Sequence, residues 1–138
     1  HYPTWYMHYY QKPAYIIWCG YAFETICMKH VAEMKRALKI EGVSSKNYTW
    51  RNSKAQVDMV IDRDDHWINL CEMKFSSDVF AIDGDYLKQL ETKKREFKKD
   101  KAGRKGIFMT MMTTHGIKSN QYSTAIVDHD LTIACLFK

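Results

Sequence analysis

The most constraining feature of the sequence is a pair of charged residues inside one of its most apolar segments. Glu72 and Lys74 lie in the run Ile-Asn-Leu-Cys-Glu-Met-Lys-Phe, residues 68–75, which is apolar enough for a central β-strand. Alternate residues of a strand share a face, so the two charges lie on one face, about 6.5–7 Å apart. Because a buried charge is costly unless it is paired or binds a metal ion, the pair indicates a functional site; an exposed strand end is the plainer alternative.

A second carboxylate is expected opposite Glu72. Two strands flank the polar residues 63–66, which are typical of a hairpin turn. With a five-residue loop Asp62 pairs with Ile68, and the same register puts Asp58 opposite Glu72. The Cβ atoms of such neighbours are about 4.5–5.5 Å apart, where two carboxylates repel each other unless a cation lies between them. The alternation of the first strand predicts a shared face for Val57, Met59 and Ile61.

A third carboxylate is predicted on the first helix, which we expect over residues 20–39 with Gly42 ending it. Its apolar stripe at helical spacing consists of Phe23, Ile26, Cys27, Val31, Met34 and Leu38. Glu24 lies about 100° around the helix from Phe23. This places Glu24 at the border of the buried face, where it could point into a cleft.

The remaining pattern predicts one α/β domain with a central mixed sheet flanked by helices. Residues 1–18, rich in Tyr and Trp and with Pro3 and Pro13 as breakers, are interpreted as a lead-in or linker, and residues 19–138 as the domain. Asp83 is the expected N-cap of a second long helix. The further expected elements are a strand at 47–51, a helix at 83–99, a strand at 107–112, a short strand at 125–127 and a closing helix within 130–137.

Positive charge is concentrated in one segment of the chain. The whole sequence carries a formal charge of +5, whereas residues 88–105 alone hold seven lysines and two arginines against three acids, a local charge of +6. Such a stripe suits a phosphate backbone, although a solvated helix face is the plainer alternative. The candidate nucleic-acid-binding residues are Lys94, Lys98, Lys99, Arg104 and Lys105.

Other functional classes find little support in the sequence. No stretch approaches the roughly 18 apolar residues of a membrane span, and the first residues lack the features of a signal peptide. The four cysteines form no Cys-x-x-Cys pair, so we expect reduced thiols in a cytoplasmic protein.

The combination of carboxylates and a lysine predicts metal-dependent chemistry. Asp58 and Glu72, with Glu24 as a third carboxylate, offer the hard oxygen ligands that suit Mg²⁺, with Mn²⁺ as a substitute. Lys74 could orient or activate an attacking water, or neutralise charge on a phosphate. Beside a basic helix, this set is suited to the hydrolysis of phosphodiester bonds.

The order of helix Glu24, hairpin Asp58 and then Glu72-Met73-Lys74 resembles that of the PD-(D/E)XK superfamily of restriction endonucleases and Holliday-junction resolvases. One branch is more similar: the C-terminal domain of archaeal-type AAA ATPases found in bacteria and archaea. The resemblance covers roughly residues 13–138. The segments that carry it are 18–24, 40–43, 55–58, 68–75, 110–116 and 118–122.

The resemblance implies a restriction-endonuclease-like core, with metal and catalytic positions at Glu24, Asp58, Glu72 and Lys74, the first three as metal ligands. It also implies DNA as substrate and an AAA ATPase module in cis or in trans, since the chain contains no G-x-x-x-x-G-K-[ST] motif; a homodimer is possible. Many nucleases of the superfamily place a Gln before a Tyr on the second helix. Here Tyr86 precedes Gln89, so neither residue is assigned a role.

Three functional alternatives remain open at this stage. The first is a Mg²⁺-dependent DNA endonuclease or nuclease-like domain. The second is a catalytically silent module that binds DNA or a protein partner and serves its ATPase. The third, an antitoxin-like regulatory domain, has no motif in its favour.

Overall fold

A five-stranded mixed sheet forms the centre of the molecule, seen in a computed structural model that describes residues 13–137. The strand order follows the chain, with β1, β2 and β3 antiparallel and β4 and β5 parallel to β3. The strands are β1 (Ser45–Arg51), β2 (Gln56–Arg63), β3 (Trp67–Lys74), β4 (Gly106–Thr113) and β5 (His129–Thr132). The predicted α/β class with a mixed sheet flanked by helices is confirmed.

Helices cover both faces of this sheet. They are α1 (Pro13–Met28), α2 (Val31–Ala37), α3 (Gly84–Phe97) and α4 (Gln121–Ile126), with a π-helical turn at Lys98–Ala102 and a 3₁₀ turn at Ile133–Phe137. The α3 helix begins at the predicted cap, where the Asp83 carboxylate accepts a hydrogen bond from the Tyr86 amide at 2.8 Å. Within residues 13–137, none of the helices combines the length and apolarity needed to cross a bilayer.

Each face of the sheet has its own apolar core. On one face, α1 and α2 pack over a cluster that includes Phe23, Cys27, Met34, Met59, Ile61, Cys71 and Met73. On the other, α3 and α4 pack over a cluster that includes Val57, Val60, Ile68, Leu70, Leu90, Phe97 and Ile126. Because β3 contributes alternate residues to the two clusters, Glu72 and Lys74 continue the series that faces α3.

The helix predicted over residues 20–39 is in fact two helices, and the first begins earlier. Pro13 occupies the first turn of α1, a position where its missing N–H costs no hydrogen bond. Residues 13–18, interpreted as a lead-in, therefore belong to α1, while residues 1–12 lie outside the described part of the chain. The His30 amide donates to the Cys27 carbonyl at 3.0 Å, and this bond closes a tight turn that separates α1 from α2. The second helix ends at Ala37, before Gly42.

The C-terminal part of the chain differs from the prediction. The prediction of a strand at 125–127 is wrong, because residues 121–126 form α4. Asn120 caps this helix, with its side-chain oxygen accepting from the amides of Tyr122 and Ser123. The closing helix expected within 130–137 is also replaced, first by β5, which pairs with β4, and then by a 3₁₀ turn.

Gly106 offers a test of the packing at the start of β3 and β4. A Cβ at Gly106 would lie 2.4 Å from Cζ3 of Trp67. The Trp67 ring stacks on Phe108 with centroids 4.1 Å apart, so moving it aside would sacrifice that contact. We expect Gly106→Ala to lower the free energy of unfolding, measured by urea denaturation, by about 1–3 kcal/mol.

Gly42→Ala is the matched control for this substitution. A Cβ added at Gly42 meets no atom within 4 Å, so the free energy of unfolding should change by less than about 0.5 kcal/mol. Equal losses in the two variants would contradict the packing explanation.

Candidate active site

Asp58 lies at a β-bulge in β2. Between the pairs Tyr48–Val60 and Trp50–Val57 the register of β1 against β2 shifts by one residue. The extra residue in β2 lets Val57 and Val60 both face the α3 side, although they are three positions apart. The prediction that Val57 shares a face with Met59 and Ile61 is therefore wrong, since those two residues face α1.

The register between β2 and β3 places Asp58 next to Glu72. Asp62 pairs with Ile68, as predicted, and the regular pairing ends at Met59 and Cys71. Beyond that point, two hydrogen bonds between side chains and backbone amides replace the backbone hydrogen bonds of the β-ladder. The Asp58 amide donates to Glu72 Oε2 at 3.1 Å, and Asp58 Oδ2 accepts from the Met73 amide at 2.9 Å. We call this reciprocal pair of bonds the carboxylate clasp.

Glu72 is a buried carboxylate with a lysine partner. Only 3% of the residue is exposed. Its Oε1 atom accepts a hydrogen bond from Nζ of Lys93 on α3, and the two groups form an ion pair. Both oxygens of Glu72 are therefore bound by donors, one from the neighbouring strand and one from the helix above it.

The electrostatic environment disfavours charge on Glu72. Burial raises its pKa to about 7, and the negative charge of Asp58 acts in the same direction, while Lys93 opposes both. The pKa of Tyr86 is also raised, first by its burial and then by the charges of Glu72 and Asp58. The site thus concentrates negative charge in a region with little access to water.

Lys74 projects from the end of β3 toward two aromatic rings. Its Nζ atom is 5.6 Å from the ring centroid of Phe80 and 5.5 Å from that of Tyr86, within the range of cation–π attraction. The residue is otherwise exposed. The aromatic pair holds the ammonium group on the α3 face, the face on which Glu72 lies.

Glu24 approaches the site from the other helical layer. It is half-buried on α1 and lines a cavity of about 340 Å³ at the end of β3, together with Met73 and Lys74. Burial raises its pKa, and the charge of Asp58 raises it further. The structure thus brings Glu24 within electrostatic reach of Asp58, whereas Glu72 belongs to the opposite side of the sheet.

Lys93 was not identified from the sequence, although a signal for it exists. Tyr86, Leu90 and Phe97 follow helical spacing along the inner face of α3, and Lys93 occupies the position between Leu90 and Phe97 in that stripe. A lysine at an apolar position of a helix needs an anionic partner. The buried carboxylate on β3 supplies it.

The predicted nucleic-acid-binding residues fall in different environments. Lys94, Lys98 and Lys99 line a cavity of about 660 Å³ between α3 and α4, and Glu91 is also part of its lining. Lys105 is engaged elsewhere: its Nζ donates to Asp62 Oδ1 at 2.6 Å and to a backbone carbonyl at 2.7 Å. Arg104 is exposed in the turn before β4.

The donor chemistry at this site fits a hard divalent cation. Asp58, Glu72 and Glu24 supply carboxylate oxygens. The pKa values of both glutamates are raised first by burial and then by the Asp58 charge, and a cation would relieve the second contribution. Across residues 13–137, no three or more His, Cys, Asp and Glu side chains are already gathered closely enough to hold an ion. Binding of an ion would therefore require the carboxylates to move closer together.

Comparison of the chain with protein-family models, with curated proteins and with solved structures found no match. The family resemblance drawn from the sequence stays a prediction.

The raised pKa of Glu72 predicts a specific pH dependence of stability. An ordinary glutamate titrates near 4.5 and Glu72 near 7, so its protonation stabilises the folded state fully below pH 4.5, and this stabilisation is lost as the pH rises through 7. Between pH 5 and 8 the loss is roughly 3 kcal/mol. Glu72→Gln should remove it, giving a flatter pH profile in urea denaturation than wild type. Parallel profiles would contradict a strongly raised pKa.

Proposed function

We propose that this chain is a metal-dependent nuclease-like domain that hydrolyses DNA phosphodiester bonds and works with an AAA ATPase in cis or in trans. The observation that carries the proposal is the carboxylate clasp, which holds Asp58 and Glu72 side by side with Lys74 on the same strand as Glu72. Adjacent carboxylates with a nearby ammonium group are side chains suited to metal-dependent phosphodiester hydrolysis.

The protein groups have distinct roles in this proposal. Asp58 and Glu72 would hold Mg²⁺ or Mn²⁺, and Glu24 would contribute from the α1 side of the sheet through its proximity to Asp58. A bound ion supplies charge for the phosphate oxygens and lowers the pKa of a coordinated water. Lys74, steadied by Phe80 and Tyr86, neutralises charge that develops on the phosphate or orients the attacking water.

A metal-binding experiment tests the assignment of Asp58. We expect wild type to bind Mn²⁺ in isothermal titration calorimetry and Asp58→Asn to lose that binding, because the amide removes a full negative charge from the ligand set. Asp85→Asn is the matched control, since Asp85 is exposed in the first turn of α3. Unchanged Mn²⁺ binding by Asp58→Asn would remove Asp58 from the site.

A cleavage experiment tests Lys74. We expect Lys74→Ala to slow Mg²⁺- or Mn²⁺-dependent cleavage of plasmid or branched DNA by about 10²–10³-fold, because the lost cation acts mainly on the transition state. DNA affinity should stay close to that of wild type. Lys46→Ala, at an exposed position of β1, is the control. Equal rates for wild type and Lys74→Ala would contradict the role of Lys74.

One observation favours a second function, a catalytically silent interaction module. The ion pair between Lys93 and Glu72 satisfies the buried carboxylate without any metal, so the fold can keep Glu72 for structural reasons. If wild type never cuts DNA above the Lys74→Ala background, even with its ATPase partner supplied, the domain binds DNA or a protein partner without cleaving.

A further inference from the structure

A second basic cleft, separate from the one between α3 and α4, lies between α3 and the turn that joins β1 to β2. Its volume is about 490 Å³, and its charged lining consists of Lys54, Lys88 and Lys93. Gln56 and Gln89 add side-chain amides, and no acidic residue of the described chain is part of its lining. Because Lys93 is paired with Glu72, Lys54 and Lys88 supply the positive charge that suits this surface to a polyanion.

Hydrogen bonds hold the wall of this cleft in place. In the turn between β1 and β2, Asn52 Oδ1 accepts from the amides of Lys54 and Ala55, each at 2.8 Å. The same residue is tied to α3, because its Nδ2 donates to Glu96 Oε1 at 3.2 Å. The backbone that carries Lys54 is thus fixed relative to the helix that carries Lys88.

The cleft is continuous with the candidate active site. Lys93 lines it and also contacts Glu72. Gln56, at the start of β2, precedes Asp58 by two residues. By contrast, the cavity that contains Lys94 and Lys98 shares no lining residue with this cleft and is bounded by α4. A strand that brings a phosphate to Asp58 and Glu72 therefore places its neighbouring phosphates closer to Lys54 and Lys88.

We propose that this cleft binds the sugar–phosphate backbone of the nucleic acid strand that enters the site, with Lys54 and Lys88 contacting phosphates beside the reacting one. The proposal rests on the nuclease-like function, because it uses the adjacent carboxylates to choose a nucleic acid over other polyanions. The glutamine amides can donate to or accept from sugars and base edges, which an acidic peptide lacks.

Two double variants with the same loss of charge test the cleft. Lys54→Gln/Lys88→Gln removes two exposed cations from it. Lys94→Gln/Lys98→Gln removes one half-buried and one exposed cation from the other side of α3. Binding of fluorescein-labelled single- and double-stranded oligonucleotides is measured by anisotropy in EDTA, at 50–200 mM salt. For the cleft variant we expect about tenfold weaker binding and a salt slope lower by about 1.4–1.8, since each phosphate contact contributes roughly 0.7–0.9.

The proposal assigns the backbone contacts to the cleft and not to the surface around Lys94 and Lys98 that the sequence predicted. Lys94→Gln/Lys98→Gln should therefore stay within about twofold of wild type, with an unchanged salt slope. An equal or larger loss of affinity in Lys94→Gln/Lys98→Gln would overturn the proposal. So would a wild-type protein that does not bind the oligonucleotides, or one from which poly-glutamate displaces the labelled oligonucleotide as well as unlabelled DNA does. Because EDTA removes any metal, the result is independent of cleavage. If binding depends on the cleft but wild type does not cleave DNA, only the nuclease function is contradicted. If wild type cleaves DNA and the cleft variant binds as well as wild type, only the cleft proposal is contradicted.

Discussion

The burial of the Glu72 carboxylate is the constraint on which the rest of the site depends. An isolated charge at this depth would be unstable by several kcal/mol, and two neighbouring elements contribute to its compensation. The neighbouring strand donates the Asp58 amide, and α3 donates the Lys93 ammonium group. The position of α3 over the sheet is consequently fixed by polar as well as apolar contacts, with Leu90 and Phe97 filling the core on either side of Lys93.

The bulge in β2 explains why the carboxylates meet at the end of the ladder. Regular pairing of β2 with β3 stops at Met59, and one additional residue in β2 releases Asp58 from the alternation of its strand. Its backbone amide and its carboxylate then both turn toward β3, where they replace the missing ladder bonds. Bulges are common beside functional sites because they re-aim a side chain in this way.

Much of the site was predictable because it is local. The length of the turn fixed the pairing of Asp62 with Ile68, and this register carried Asp58 to Glu72 without knowledge of the remaining fold. The bulge could not be predicted, because it is set by pairing with β1, whose register depends on the packing of Trp50 against α3.

Other incorrect predictions concern segments that carry a local signal, but the pattern of apolar residues there indicated a different structure. Asn120 and Ser123 form a capping box, which marks the start of α4 where the apolar residues 125–127 indicated a strand. Pro13 marked the first turn of α1 and was interpreted only as a breaker. Lys93 differs from both, since its position in an apolar stripe gains meaning only once a buried anion is placed opposite.

The carboxylate clasp and its lysine come from a short continuous part of the chain. Asp58 and Glu72 are 14 residues apart, and Glu72 and Lys93 are 21 apart, so both contacts close small loops at modest entropic cost. Glu24 belongs to α1, which packs on the sheet through the core on the opposite face. The loops that bring Asp58 to Glu72 and Glu72 to Lys93 therefore do not include α1, so a change of residue at Glu24 would leave the length of both loops and their closure entropy unchanged.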